Sequence, residues 1–265
     1  MKKLRFGTFL APNILPVYQA IADEVGRQLA IETELIVETT YENCARDVND
    51  VCFVCSLPYV VFERQGLAPA IPIAAPVLEG ERYKGKPIYY SDVIVHKSSP
   101  WQSFKDLRGK SWAYNEPLSH SGYGITRYHL VQLNETKGFF SKVIEAGFHE
   151  EAIKMVADGQ IDASAIDSQV LAVALRDNPH LSQSLKIIDS LGPSTIQPIA
   201  VSKRLPLFLR QQILDVLLSL HKNPKIKKIL NIGMVNRFVP VSASSYNDIR
   251  MMLEACERAE FMQIR

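Results

Sequence analysis

Apolar positions in the first half of the chain switch between two spacings. Residues 4–10 form a short apolar run, and across 16–29 the apolar positions Val17, Ala20, Ile21, Val25 and Leu29 recur at helical intervals. The pattern then predicts a strand at 33–37, a short helix near 41–48 and a buried strand at 51–55. This β-α-β-α-β order is the signature of a mostly parallel α/β sheet. Ser56 stands where it would cap another short helix, and Pro58 falls in that helix's first turn, where a missing N–H costs little. A proline-studded stretch holding Pro69, Pro72 and Pro76 leads through a polar Gly/Lys segment at 80–86 to a strongly β-prone run at 89–96.

Beyond a turn at 97–101 the spacing predicts a short helix at 104–107 and a strand at 111–114. Ser119-His120-Ser121-Gly122 then opens a helix reaching about Leu133. A helix at 150–157 stops at Asp158-Gly159, a strand follows at 161–166, and 168–176 is helical again. A strand at 185–189 precedes the break at Gly192-Pro193, with a further short strand at 199–201. The tail reads as helices at 206–221, 223–230 and 246–258, and no internal repeat or low-complexity segment interrupts it.

Composition narrows the function classes. With 265 residues, 47% hydrophobic and 22% charged, the chain is an ordinary globular protein of one large or two modest domains. No apolar run approaches the roughly 18 residues of a membrane span, so membrane insertion is not expected. A net charge of +2 with interspersed signs offers no basic stripe for nucleic acid. The N-terminal residues carry positive charge, but their apolar stretch is short and is interrupted by Pro12, Asn13 and Pro16. They read as a first strand and turn. The protein is then periplasmic if a signal was trimmed and cytoplasmic otherwise. Cys44, Cys52, Cys55 and Cys256 have no spacing that demands pairing, and free thiols are expected.

One segment has the chemistry of an anion site. At Ser119-His120-Ser121-Gly122 a helix N-terminus exposes unpaired N–H groups and the positive end of the dipole. Two hydroxyls and a glycine let a phosphate-like group approach the backbone. Taken alone, Ser-x-Ser-Gly also serves simply as a cap. Other motifs fail. Cys52 and Cys55 match C-x-x-C, but residues three apart on a strand face opposite sides and cannot chelate one metal. The six histidines do not cluster, and no phosphate-binding glycine fingerprint is present, so no metal and no cofactor is expected.

Three segments keep a fixed order: 41–59, with Asp50-Val51-Cys52-Phe53-Val54-Cys55-Ser56-Leu57-Pro58-Tyr59; 90–123, from Tyr90-Ser91-Asp92 to Ser119-His120-Ser121-Gly122-Tyr123; and 149–167, from His149-Glu150-Glu151 to Asp167. Over nearly the whole chain this pattern resembles the phosphonate/phosphite/phosphate-binding branch of the type II periplasmic binding proteins, solute-binding components of ABC transporters. The resemblance implies a two-lobed α/β fold of mostly parallel sheets joined by two crossing hinge strands. Lobe one would be 1–88 plus 194–265 and lobe two 89–193, with a phosphorus oxyanion held in the cleft between them. It also implies hydroxyl donors at Tyr41 and Tyr90, a ligand contact at His149, a polar cleft position at Asp167, and a second set of helix-start N–H groups at Ser56. Relatives that take an aminoalkyl phosphonate hold its ammonium group with carboxylates, whereas the returning stretch here offers Gln197. The partners implied are a small oxyanion and an ABC permease, with the chain itself a monomer and not an enzyme. A cytosolic enzyme on the same fold, resembling chorismate dehydratase, and a ligand-sensing protein are the rival readings.

Overall fold

Strand β1 (Lys3–Thr8) pairs in parallel with β2 (Glu32–Val37), and helix α1 (Leu15–Leu29) makes the crossover between them. The α1 face bearing Val17, Ile21 and Val25 is buried, as its spacing predicts, and the helix stops where Ala30 adopts the left-handed conformation at φ 53°. Strand β3 (Val51–Phe53) lies on the other side of β1 and leads directly into helix α2 (Ser56–Arg64). These elements belong to a computed structural model that describes residues 3–41, 43, 46–67 and 70–265. The helix expected near 41–48, the thiol of Cys44 and Pro69 fall wholly or partly outside the described residues.

The chain divides into two compact units, Met1–Ile88 with Thr195–Asn247 and Tyr89–Ser194 with Asp248–Arg265. In the first unit the strands run in the order β11-β4-β10-β3-β1-β2. The added strands are β4 (Ala70–Leu78), β10 (Ile199–Ser202) and β11 (Val235–Pro240). All three pairings made by these added strands are antiparallel, so the sheet is mixed where a mostly parallel one was expected. The proline-rich stretch is therefore β4, a strand with neighbours on both sides. Pro72 pairs with Ala200 and Pro76 with Phe238, and each partner strand shifts register once along it. A shift of this kind lets the sheet pass residues that have no N–H to donate. Phe53 stacks on Phe6 and Tyr18 in the core beneath.

The second unit is built on a five-stranded sheet of order β7-β6-β8-β5-β9, comprising β5 (Ile88–His96), β6 (Ser111–Tyr114), β7 (Lys142–Glu145), β8 (Ala163–Asp167) and β9 (Leu185–Thr195). Strand β6 pairs in parallel with both β7 and β8, while β5 runs antiparallel to β8. Helices α3 (Ile125–Gln132), α4 (His149–Ala157) and α5 (Ser168–Asp177) follow β6, β7 and β8 respectively. A short helix, α6 (Pro179–Ser184), leads into β9. The core here is aromatic: Phe104 meets Trp112, Phe139 and Phe140, all buried.

Helices α7 (Leu207–Ser219) and α8 (Pro224–Ile232) return to the first unit, and the last helix, α9 (Asn247–Arg258), enters the second. The expected grouping of 194–265 with the first unit differs from the structure here. Met252, Phe261 and Ile264 belong to the cluster around Phe104 and Trp112, and burying those side chains ties the C-terminal segment to the second unit.

Candidate ligand-binding site

In a strand–helix unit the helix starts at the carboxyl end of the strand. Because β7, β6 and β8 are adjacent and parallel, the starts of three helices fall along one edge of the second unit's sheet. The loops leaving β6 and β7 are tied together, since Ala146 N–H donates to Tyr114 O at 2.7 Å and Gly147 N–H to Asn115 O at 2.8 Å. Helix N-termini present N–H groups without intrahelical partners, and several at one edge add their dipoles.

The helix predicted at Ser119 opens as a wider turn than an α-helix. His120–Gly124 is π-helical, Gly124 N–H donates to Ser119 O at 2.9 Å, and regular α3 begins at Ile125. Ser119 is its cap: the Oγ accepts from Gly122 N–H at 3.2 Å and lies 3.4 Å from Ser121 Oγ. Ser121 does something else. Its Oγ is 2.8 Å from His149 Nε2, the first residue of α4, so two of the three helix starts are joined by a buried hydrogen bond. His120 turns the other way, with Nε2 2.9 Å from Ser194 Oγ near the end of β9.

Position 122 is crowded, and any side chain there would force Asn115 to move. A Cβ there would stand 2.0 Å from the side-chain oxygen of Asn115, closer than any real contact allows. Asn115 Oδ1 is itself buried, with no hydrogen-bond partner among the described residues. Neither Asn115 nor Ser194 stood out in the sequence, because each reaches the site from a loop or strand end that only the sheet order brings close.

The third helix start is occupied by its own cap. Asp167, expected as a polar ligand position, accepts from Gln169 N–H at 2.7 Å and Val170 N–H at 3.4 Å. Ser168 Oγ accepts from the backbone N–H of Tyr90 at 3.2 Å, which brings half-buried Tyr90 to the same edge. The structure thus gathers Tyr90, Ser119, His120, Ser121, Gly122, His149 and Asp167 in one unit.

Tyr41 and Ser56 lie in the other unit. Tyr41 stacks on Phe9 with ring centroids 5.0 Å apart and tilts against Phe62. Ser56 is not the cap expected of it. The extended residue before the helix is Cys55, whose carbonyl accepts the first bond, from Tyr59 N–H. The Ser56 hydroxyl, one position inside α2, is buried without a hydrogen-bond partner among the described residues.

Both histidines are neutral at neutral pH. Burial pushes His149 down from 6.5 to about 4, and burial together with the Arg127 charge pushes His120 down to about 3. A neutral imidazole facing a serine shares one proton with it: whichever of Nε2 and Oγ donates, the other accepts. Among the described residues no group of three or more His, Cys, Asp or Glu is placed to hold a metal, and no helix is long and apolar enough to cross a membrane.

The chain is similar to known proteins over most of its length. Residues 10–246 match the model of a family described as the periplasmic substrate-binding protein of phosphonate ABC transporters. The phosphonates-binding periplasmic protein of Escherichia coli K12 is 28% identical over 151 residues, 55% of this chain. That alignment spans 44% of the Escherichia coli protein, less than half its length. Among solved structures, a binding-protein component of a Pseudomonas aeruginosa ABC phosphonate transporter superposes with a TM-score of 0.84 at 18% identity. It covers 97% of this chain and 87% of that one. PhnD1 from Prochlorococcus marinus, solved with methylphosphonate, gives a TM-score of 0.84 at 21% identity over 98% of both chains.

Two expectations follow from the site itself. The unfolded chain takes a proton at His149 near pH 6.5 and the folded chain only near 4. Its contribution to stability is therefore complete above pH 6.5 and is lost as pH falls towards 4. Urea unfolding should show about 2 kcal/mol less stability at pH 5 than at pH 7 from His149 alone, and His149→Gln should flatten that slope. Equal stability of the wild-type chain at the two pH values would contradict a buried neutral His149. Gly122→Ala should destabilise the chain through its clash with Asn115, and Asn115→Ala in the same chain should restore most of the loss. Strictly additive effects in a double-mutant cycle would refute the contact.

Proposed function

This chain belongs to the family of periplasmic substrate-binding proteins of phosphonate ABC transporters, and from that premise we propose that it binds a small phosphorus oxyanion at the Ser119–Gly122 helix start. The observation that carries the reading is the 2.8 Å bond between Ser121 Oγ and neutral His149 Nε2. When His149 carries its proton on Nε2 it donates to the serine oxygen, and the serine O–H is then free to donate to a phosphonate oxygen. The N–H groups of the π-turn add further donors. Each hydrogen bond to a charged group contributes roughly 1.5–3 kcal/mol, so three or four reach the roughly −8 kcal/mol of micromolar binding.

The reading extends to Tyr90, which is anchored at the same edge, and to Tyr41 and Ser56 as donors carried by the first unit. The Ser56 hydroxyl, buried and without a partner among the described residues, supports its inclusion. The protein acts in the periplasm as a monomer, as a binding protein and not an enzyme, and delivers its ligand unchanged to a membrane permease.

Methylphosphonate, the ligand of the Prochlorococcus protein, suits such a site because its organic end needs no counter-charge. An ammonium group does need one, and burying it without a carboxylate costs several kcal/mol. Asp167 is committed to capping α5, and the returning stretch offers Gln197.

Titration calorimetry with methylphosphonate should give saturable binding that Ser121→Ala weakens by about 1.5 kcal/mol or more. Aminoethylphosphonate should bind no more tightly than methylphosphonate. Unchanged affinity in Ser121→Ala would move the anion elsewhere, and a tenfold preference for the amino compound, about 1.4 kcal/mol, would overturn the ligand assignment.

A further inference from the structure

His120 sits between Ser119 and Ser121 in the π-turn, and its side chain goes to the boundary of the second unit. Its Nε2 lies 2.9 Å from Ser194 Oγ, and its ring centre is 6.4 Å from that of Tyr89. All three residues are buried. These two neighbours stand at particular points of the chain, which passes between its units at 88/89, 194/195 and 247/248. Tyr89 is the first residue of the second unit, and Ser194 is the last before the chain leaves it.

Tyr89 and Ser194 lie on neighbouring strands, β5 and β9. On the first unit's side the same crossings are bonded to one another. Ile196 N–H donates to Pro87 O at 3.0 Å, Thr195 Oγ1 to Ser245 O at 2.9 Å, and Tyr246 Oη to Ile196 O at 3.1 Å. Where two units of a chain move, the few residues at the crossings absorb the change. One side chain of the turn therefore meets two of the three crossings, and those two are tied to the third. An apolar side chain of similar size would fill the space beside Ser194 without desolvating a polar group. What the imidazole adds is direction, because a hydrogen bond holds residue 120 to one atom of residue 194.

We infer that His120 is a positioning residue, through which an oxyanion held at the π-turn is coupled to the strand ends at Tyr89 and Ser194 where the chain passes between its units. The inference rests on the reading of Ser119–Gly122 as the oxyanion site. An oxyanion bonded to Ser121 Oγ and to backbone N–H groups of the turn draws that turn towards itself, and residue 120 moves only with its bond to Ser194. The bond is stronger when the turn is occupied than when it is empty. By reciprocity, a chain that lacks the bond holds the oxyanion less tightly. A bond that served the fold alone would contribute equally to both states and leave the affinity untouched.

Calorimetric titration of methylphosphonate into the wild-type chain, His120→Leu, Ser194→Ala and the double variant tests this as a double-mutant cycle in binding. Each single variant should weaken binding by roughly three- to tenfold, the scale of one neutral hydrogen bond, and the double variant should be no weaker than the weaker single, since all three cut the same bond. Ser194→Ala is the milder change and decides the matter alone if His120→Leu does not fold. Affinity of Ser194→Ala within about twofold of wild type overturns the inference, as do single-variant losses that simply multiply in the double variant. If Ser121→Ala weakens binding while the 120/194 cycle has either of those outcomes, only the coupling falls. A wild-type chain that binds no methylphosphonate, or binds it as tightly without the Ser121 hydroxyl, takes the site reading and the coupling down together.

Discussion

A helix has one positive end, and in a strand–helix unit that end always follows the carboxyl end of the strand. The parallel pairing of β6 with β7 on one side and β8 on the other therefore fixes where the charge-seeking groups of the second unit collect. Reverse either neighbour and its helix start would move to the opposite edge. The Ser121–His149 bond is a consequence of this order, since the two residues are 28 apart in sequence and meet only because their helices start side by side. The His120–Ser194 bond, between residues 74 apart, depends in the same way on β9 lying beside β5.

The hydroxyls and imidazoles of that edge are neutral. His120 and His149 are held neutral by burial, and Asp167 faces the N–H groups of its own helix. An arriving oxyanion would be met by hydroxyls and backbone N–H groups that are already in place, so little reorganisation is needed. In the proposed site, neutral donors would hold the ligand without a buried counter-ion whose desolvation would have to be offset. Arg127, whose charge acts on His120, is engaged with the Met262 carbonyl and the Tyr123 ring.

Much of this was legible in the residues wherever the signal is local. The helical spacing of α1, the Ser-x-Ser-Gly helix start and the stop at Asp158-Gly159 each rest on a few neighbouring residues, and the elements lie where those residues put them. Strand β4 was not legible, because Pro72 and Pro76 argue against a strand with two neighbours and only register shifts in its partners accommodate them. Strand β7 is four residues with exposed ends, and β11 mixes Asn236 and Arg237 into its apolar positions, so neither has a clear period of two. At the site, the division of labour between Ser119 as cap and Ser121 as partner of His149 needed the fold. The sequence offers two serines at one helix start and no means of telling which hydroxyl turns inward to the helix. Ser56 shows the same limit, since a shift of one residue in the helix start converts an expected cap into a buried hydroxyl with no partner among the described residues.

A crystal structure of the protein grown with saturating methylphosphonate tests the central claim most directly. The account predicts tetrahedral density at the start of the π-turn, with one phosphonate oxygen within about 3 Å of Ser121 Oγ and another facing backbone N–H groups of the turn other than that of Gly122, which Ser119 caps, with the Ser121–His149 bond intact. Phosphonate bound away from that turn, or a turn left empty while the ligand is bound elsewhere in the chain, would contradict it.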